Sequence, residues 1–119
     1  MLIRFKKTFE KIAMGLLSFM PGGSDVKTLQ ATIKEYETNP NWHLYLWREE
    51  DDILGAIGVK VDENQQAIIQ HISVNPSHRN QGIGTKMINE VKKQYEKDYT
   101  VTAEKVVEEF YHKCVNDEE

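Results

Sequence analysis

The chain has 119 residues, 39% of them hydrophobic and 29% charged, a balance that fits one packed soluble domain and excludes a second core, a disordered chain or a membrane-embedded one. Its 15 Lys and Arg stand against 19 Asp and Glu, giving a formal charge of -4, the wrong sign for a dedicated nucleic-acid binder. The single cysteine, Cys114, precludes an intramolecular disulfide and no Cys/His cluster has zinc spacing, so a reducing compartment and a metal-free fold are expected.

In chain order, Leu2 to Phe5 has the character of a short opening strand. Arg4, Lys6, Lys7 and Lys11 then precede the apolar run from Ile12 to Met20, a pattern that imitates a secretory signal. Three features argue against that. Glu10 interrupts the basic stretch, no small-x-small cleavage site precedes Pro21-Gly22-Gly23, and Phe9, Ile12, Ala13, Leu16, Leu17 and Met20 recur at helical spacing. The run is also far shorter than the roughly 20 apolar residues of a membrane span. An amphipathic helix in a cytoplasmic protein without membrane contact is expected.

Ser24 or Asp25 is placed to cap a second helix, which buries Val26, Leu29, Ile33 and Tyr36 and ends at Asn39-Pro40-Asn41. From Trp42 the period changes to two. Trp42, Leu44 and Leu46 alternate with His43, Tyr45 and Trp47, a polar turn from Glu49 to Asp52 leads into Ile53 to Val61, and a second turn from Asp62 to Gln65 leads into Ala67 to Val74. These form an antiparallel meander. The tryptophans are expected as core or dimer contacts. Asn75-Pro76-Ser77 breaks the third strand, a helix from Gly84 to about Lys97 carries Met87, Ile88, Val91 and Tyr95 inward, and Tyr99 to Thr102 reads as a short strand. A last helix repeats Val106, Val107, Phe110, Tyr111 and Cys114 at helical spacing. Cys114 is expected there as a small buried hydrophobe, and residues 115–119 as a frayed acidic tail.

The chemistry concentrates between His71 and Thr85, where a strand ends in a glycine-rich turn that opens a helix. Free amides at a helix N-terminus, backed by the positive end of the macrodipole, can hold a phosphate or pyrophosphate. Gly82 and Gly84 permit close approach of the backbone, and Arg79 adds a planar fork of donors suited to phosphate oxygens. A Gly-x-Gly alone is also consistent with an ordinary tight turn. No P-loop Gly-Lys-Ser/Thr and no complete dinucleotide-binding glycine set is present.

Arg79-x-x-Gly82-x-Gly84, following Ile72-x-Val74-x-Pro76, resembles the acetyl-CoA signature of the GNAT N-acetyltransferases, Gln/Arg-x-x-Gly-x-Gly/Ala. Phe110-Tyr111-His112-Lys113 resembles that family's Phe-Tyr-x-Lys. The resemblance spans nearly the whole chain. It implies an α+β fold with a mixed sheet in the order β-α-α-β-β-β-α-β-α, forming one acetyl-CoA-binding domain over residues 1–119 and stopping before the family's last two strands. It further implies that the amides of Gln81, Gly82, Ile83, Gly84 and Thr85 hold the CoA pyrophosphate beside Arg79, and that the backbone of Ile72 and Val74 pairs with the pantetheine arm.

Tyr111 then occupies the position of a general acid for the departing thiolate, or is simply core. His71 is a candidate base for the amine, or a structural strand histidine. Glu104 and Val107 depart from the family's usual Asn and Ala, and no Gly-Phe follows Cys114, which puts the acceptor pocket in question. The opening from Leu2 to Pro21 also resembles a small family member encoded in riboflavin operons of Bacillus-type bacteria. The expected activity is transfer of an acetyl group from acetyl-CoA to a small-molecule or protein amine, with a link to riboflavin biosynthesis implied. The alternative is a non-catalytic CoA-binding or protein-interaction module. An uncovered edge at the Tyr99 to Thr102 strand would favour a homodimer.

Overall fold

The structure is a computed structural model that describes residues 1–20 and 25–108. Its elements are β1 (Leu2–Arg4), α1 (Glu10–Leu17), α2 (Val26–Thr38), β2 (Trp42–Glu49), β3 (Asp52–Val61), β4 (Gln66–Val74), α3 (Ile83–Tyr95) and β5 (Thr100–Ala103), with short 3-10 turns at Lys7–Phe9 and Pro76–His78. Residues 105–108 are helical after β5. The strands lie side by side in sequence order. β1 to β4 are antiparallel neighbours and β5 joins β4 in parallel, because α3 returns the chain to the same end of the sheet.

The period-two pattern sorts side chains to two faces. Leu44, Leu46 and Ala56 pack with Ala13, Leu16 and Leu17 of α1 and Leu29, Ile33 and Tyr36 of α2. On the opposite face, Tyr45, Trp47, Ile57, Val59, Ile69, Ile72 and Val74 meet Ile83, Met87, Ile88, Val91 and Tyr95 of α3. Two helices therefore cover one face and α3 the other. The Tyr45 and Tyr95 hydroxyls bond each other at 2.7 Å inside the second cluster, which satisfies two polar groups that burial would otherwise penalise. No helix among the described residues is long and apolar enough to cross a membrane.

Several local expectations shift. Val26 and Ile12 lie outside the cores: Val26 is the first residue of α2, and Ile12 sits one step off the stripe of Ala13, Leu16 and Leu17 in α1. Asp25 stands at the N-terminus of α2, but its carboxylate accepts from Thr28 Oγ1 at 2.9 Å rather than from a backbone amide. Ser24 and Pro21-Gly22-Gly23 lie outside the described residues. β2 and β3 run closer together than the polar turn suggests, leaving Glu50 and Asp51 between them with Glu50 at φ 56°. Trp47 is core and Trp42 packs beside Tyr36 with ring centroids 5.1 Å apart. In the last helix Val107 is buried and Val106 is exposed; Phe110, Tyr111 and Cys114 lie outside the described residues.

Candidate active site at the fork of the sheet

β4 has two partners over its first half and one over its second. Its parallel register with β5 runs from Gln66↔Thr100 to Ile69↔Ala103, closes with the Glu104 N–H donating to the Ile69 carbonyl at 2.8 Å, and then ends. From Gln70 to Val74, among the described residues, only β3 remains beside it. The sheet forks there.

Which backbone groups face the gap follows from antiparallel geometry. Asn75 N–H donates to the Leu54 carbonyl on β3, so by alternation Ser73 also faces β3, while Ile72 and Val74 direct their N–H and C=O groups away from it. Among the described residues no strand meets them on that side. Only the Val74 carbonyl has a partner, the Arg79 Nε at 3.3 Å. Unpaired strand groups of this kind are a template for an extended ligand bearing amides.

At the carboxyl end of the fork the chain turns into α3. The Asn75 carboxamide accepts from the Ser77 amide at 3.0 Å and the Ser77 hydroxyl at 2.7 Å, which holds the 3-10 turn that Pro76 starts. Asn80 and Gly82 then take left-handed conformations with φ 65° and 77°. A Cβ at Gly82 would meet nothing within 4 Å, so glycine is required there by backbone conformation and not by crowding. No side chain caps α3, and its first bond runs from Lys86 N–H to the Gly82 carbonyl. The amides of Ile83, Gly84 and Thr85 therefore precede the hydrogen-bonded ladder at the positive end of the helix, with Gln81 and Gly82 exposed beside them.

Arg79 makes no ion pair among the described residues, and its guanidinium lies 6.0 Å from the centre of the half-exposed Phe19 ring. This arrangement fits a phosphate-bearing donor with an amide-containing arm: phosphate oxygens at the helix start, amides along Ile72 and Val74.

The fork's other side carries a cluster that the sequence motifs do not contain. Between β3 and β4 the register shifts at Gly58 and Val59, pairing Gly58 with His71 and Val59 with Ile69 and leaving Gln70 as an extra residue. The bulge brings two consecutive side chains onto the α2 side. Gln70 Nε2 donates to the Tyr36 hydroxyl at 3.1 Å and His71 Nδ1 lies 2.5 Å from the same oxygen. Tyr36 reaches this spot because position 58 lacks a side chain; a Cβ at Gly58 would overlap the Tyr36 hydroxyl. Burial lowers the His71 pKa from 6.5 to about 4, against an opposing pull from the Glu104 carboxylate. Burial likewise raises that of Tyr36, so both groups are neutral at physiological pH. Glu104 is paired to Lys60 at 3.6 Å.

Of the residues singled out in the sequence, Ile72, Val74, Arg79 and Gln81 to Thr85 come together along one line from the fork to α3, and His71 stands beside that line. Tyr111 lies outside the described residues. Tyr36, Gln70 and Gly58 were not singled out. A glycine inside a strand pattern is the one signal that pointed to them, since it marks a bulge or a close approach.

The model of the Acetyltransferase (GNAT) family matches residues 12–114. The chain belongs to that family. It is 59% identical over 95 residues to a Bacillus methanolicus protein described as an uncharacterized N-acetyltransferase in the lysA 3' region, a match covering 80% of this chain and 79% of that one. Among solved structures it resembles the aminoglycoside 6'-N-acetyltransferase AAC(6')-Ig of Acinetobacter haemolyticus, with TM-score 0.77 and 11% identity over 99% of this chain and 88% of that one. It also resembles AAC(6')-Iy in complex with CoA, with TM-score 0.78 and 16% identity over 99% and 84%. At these identities the structural matches establish the GNAT acetyltransferase fold. Family and relative together make this GNAT protein an N-acetyltransferase, taking its acyl group from CoA.

Proposed function

We propose that the protein transfers an acetyl group from acetyl-CoA directly to an amine, with the fork as the acyl-donor site. The observation that carries this reading is the pair Ile72 and Val74, whose backbone groups face a gap that opens toward the uncapped start of α3. On this reading the amides from Gln81 to Thr85 and the Arg79 guanidinium hold the pyrophosphate, and Ile72 and Val74 pair with the pantetheine arm. Orientation of thioester and amine, together with carbonyl polarisation, supplies most of the acceleration.

Tyr111 is the proposed acid that protonates the departing thiolate, since a phenol with an ordinary pKa near 10 is protonated at neutral pH. His71 is an ionisable side chain beside the fork. It acts as a base if Nε2 carries a lone pair and as a hydrogen-bond donor if Nε2 carries the proton.

The acceptor belongs to the class of small-molecule or protein amines. Resemblance of the opening from Leu2 to Pro21 to RibT, the small GNAT-like protein of riboflavin operons, favours an acceptor linked to riboflavin biosynthesis in the cytoplasm, and a homodimer covers the outer edge of β5, which has no strand beside it among the described residues. A CoA-binding module without turnover is the alternative, supported by Glu104 standing where the family motif usually has Asn.

An amine screen read by CoA thiol release separates the two. The enzyme gives amine-dependent release that falls roughly 100-fold or more in Tyr111→Phe, the usual range for removing a general acid. Release no faster than hydrolysis with every amine would leave the binding module, and equal turnover in Tyr111→Phe would remove that residue from the mechanism.

A further inference from the structure

The Tyr36 hydroxyl has one proton to give and two lone pairs to offer. Gln70 Nε2 is a donor, so towards it the hydroxyl accepts. Its remaining hydrogen-bond partner among the described residues is His71 Nδ1. A buried hydroxyl proton without an acceptor costs roughly 1–3 kcal/mol, so the arrangement that satisfies every group has Tyr36 donating to Nδ1. The neutral imidazole then carries its own proton on Nε2.

We infer that Tyr36 is a positioning residue that fixes His71 as an Nε2–H donor beside the fork, so that His71 gives the substrate a hydrogen bond and accepts no proton from the amine. The inference rests on the active-site reading above. During transfer the amine nitrogen bonds to the acyl carbon and the carbon–sulfur bond breaks, its electron pair leaving on sulfur. The amine proton passes to solvent, and the thiolate takes a proton from Tyr111 or from solvent. His71 stays neutral throughout.

The surroundings agree. Tyr36 and Gln70 bring no charge from α2 and β4, and the Glu104 carboxylate after β5 is itself paired with Lys60 of β3. Burial keeps the ring neutral down to about pH 4, against the pull of the Glu104 carboxylate. Gly58 sustains the arrangement by leaving room for the Tyr36 hydroxyl against the bulge. Neither the Arg79-x-x-Gly82-x-Gly84 motif nor Phe110-Tyr111-His112-Lys113 contains this trio; it depends on α2, a strand glycine and a bulge meeting in space.

The test is 15N–1H correlation spectroscopy of the His71 imidazole in the full chain without ligand, compared with Tyr36→Phe. In the wild type, Nε2 is expected to be protonated and Nδ1 not, with no titration between about pH 8 and pH 5. In Tyr36→Phe the ring is expected to sample both tautomers and to titrate closer to 6.5, while kcat falls and the KM for acetyl-CoA is unchanged. A wild-type spectrum with Nδ1 protonated, or folded Tyr36→Phe with unaltered His71 signals, would overturn the inference. If Tyr36→Phe does not fold, the wild-type spectrum decides. Because the spectrum needs no acetyl-CoA, it remains readable even if the proposed donor site fails.

Discussion

His71 links the chemistry of the site to the stability of the fold. In the unfolded chain its imidazole titrates near 6.5 and in the native state near 4, so between these values the unfolded chain binds a proton that the native protein does not. Stability is therefore full above pH 6.5, falls as pH drops through that value, and levels off below about 4. The loss is worth roughly 3 kcal/mol at most, by the usual conversion of a pKa difference into free energy. His43, whose pKa burial also lowers with help from Arg4, acts in the same direction. Urea unfolding at a series of pH values should show this decline in the wild type and a flatter one in His71→Leu. Identical slopes would mean that His71 takes up its proton at the same pH in the native protein as in the unfolded chain.

Two glycines carry the element scale, each for a different reason. At Gly58 the constraint is space, and Gly58→Ala should push Tyr36 off the bulge, lower stability by about 1–3 kcal/mol as overpacked cores do, and return the His71 titration towards 6.5. At Gly82 the constraint is conformation, and Gly82→Ala should cost about 1 kcal/mol with little change in the core, because an alanine Cβ meets nothing there but must hold φ 77°. Thermal unfolding of both variants, with His71 read by NMR, separates the two mechanisms.

The same contrast explains what could be read from the sequence. The loop from Ile72 to Thr85 was legible because its chemistry is local: strand alternation selects Ile72 and Val74, and a glycine at φ 77° starts an uncapped helix a few residues later. The helices and the meander were legible from their periods, with errors of one to three residues at the ends that lie among the described residues, the largest at α1, which stops at Leu17 where the helical spacing runs on to Met20. The Tyr36 cluster was not, since Tyr36 and His71 are 35 residues apart and meet through a bulge whose local mark, the strand glycine Gly58, does not say which side chain fills the space. Tyr36 read as core in the sequence, and in the structure its ring is core while its hydroxyl is part of the site.

At the scale of the molecule, the sheet is covered on both faces and leaves one stretch of strand backbone open to a ligand. α1 and α2 cover one face and α3 the other. β4 lies fourth in the sheet, with its first half paired between β3 and β5 and its second half, among the described residues, paired on the β3 side alone. The central claim is that acetyl-CoA occupies this edge and the start of α3. Isothermal titration of the full chain with acetyl-CoA should show binding at one site per chain, weakened at least tenfold in Arg79→Ala through loss of a charge-assisted contact to phosphate. No binding of acetyl-CoA or CoA by the folded wild type, or equal affinity in Arg79→Ala, would contradict it.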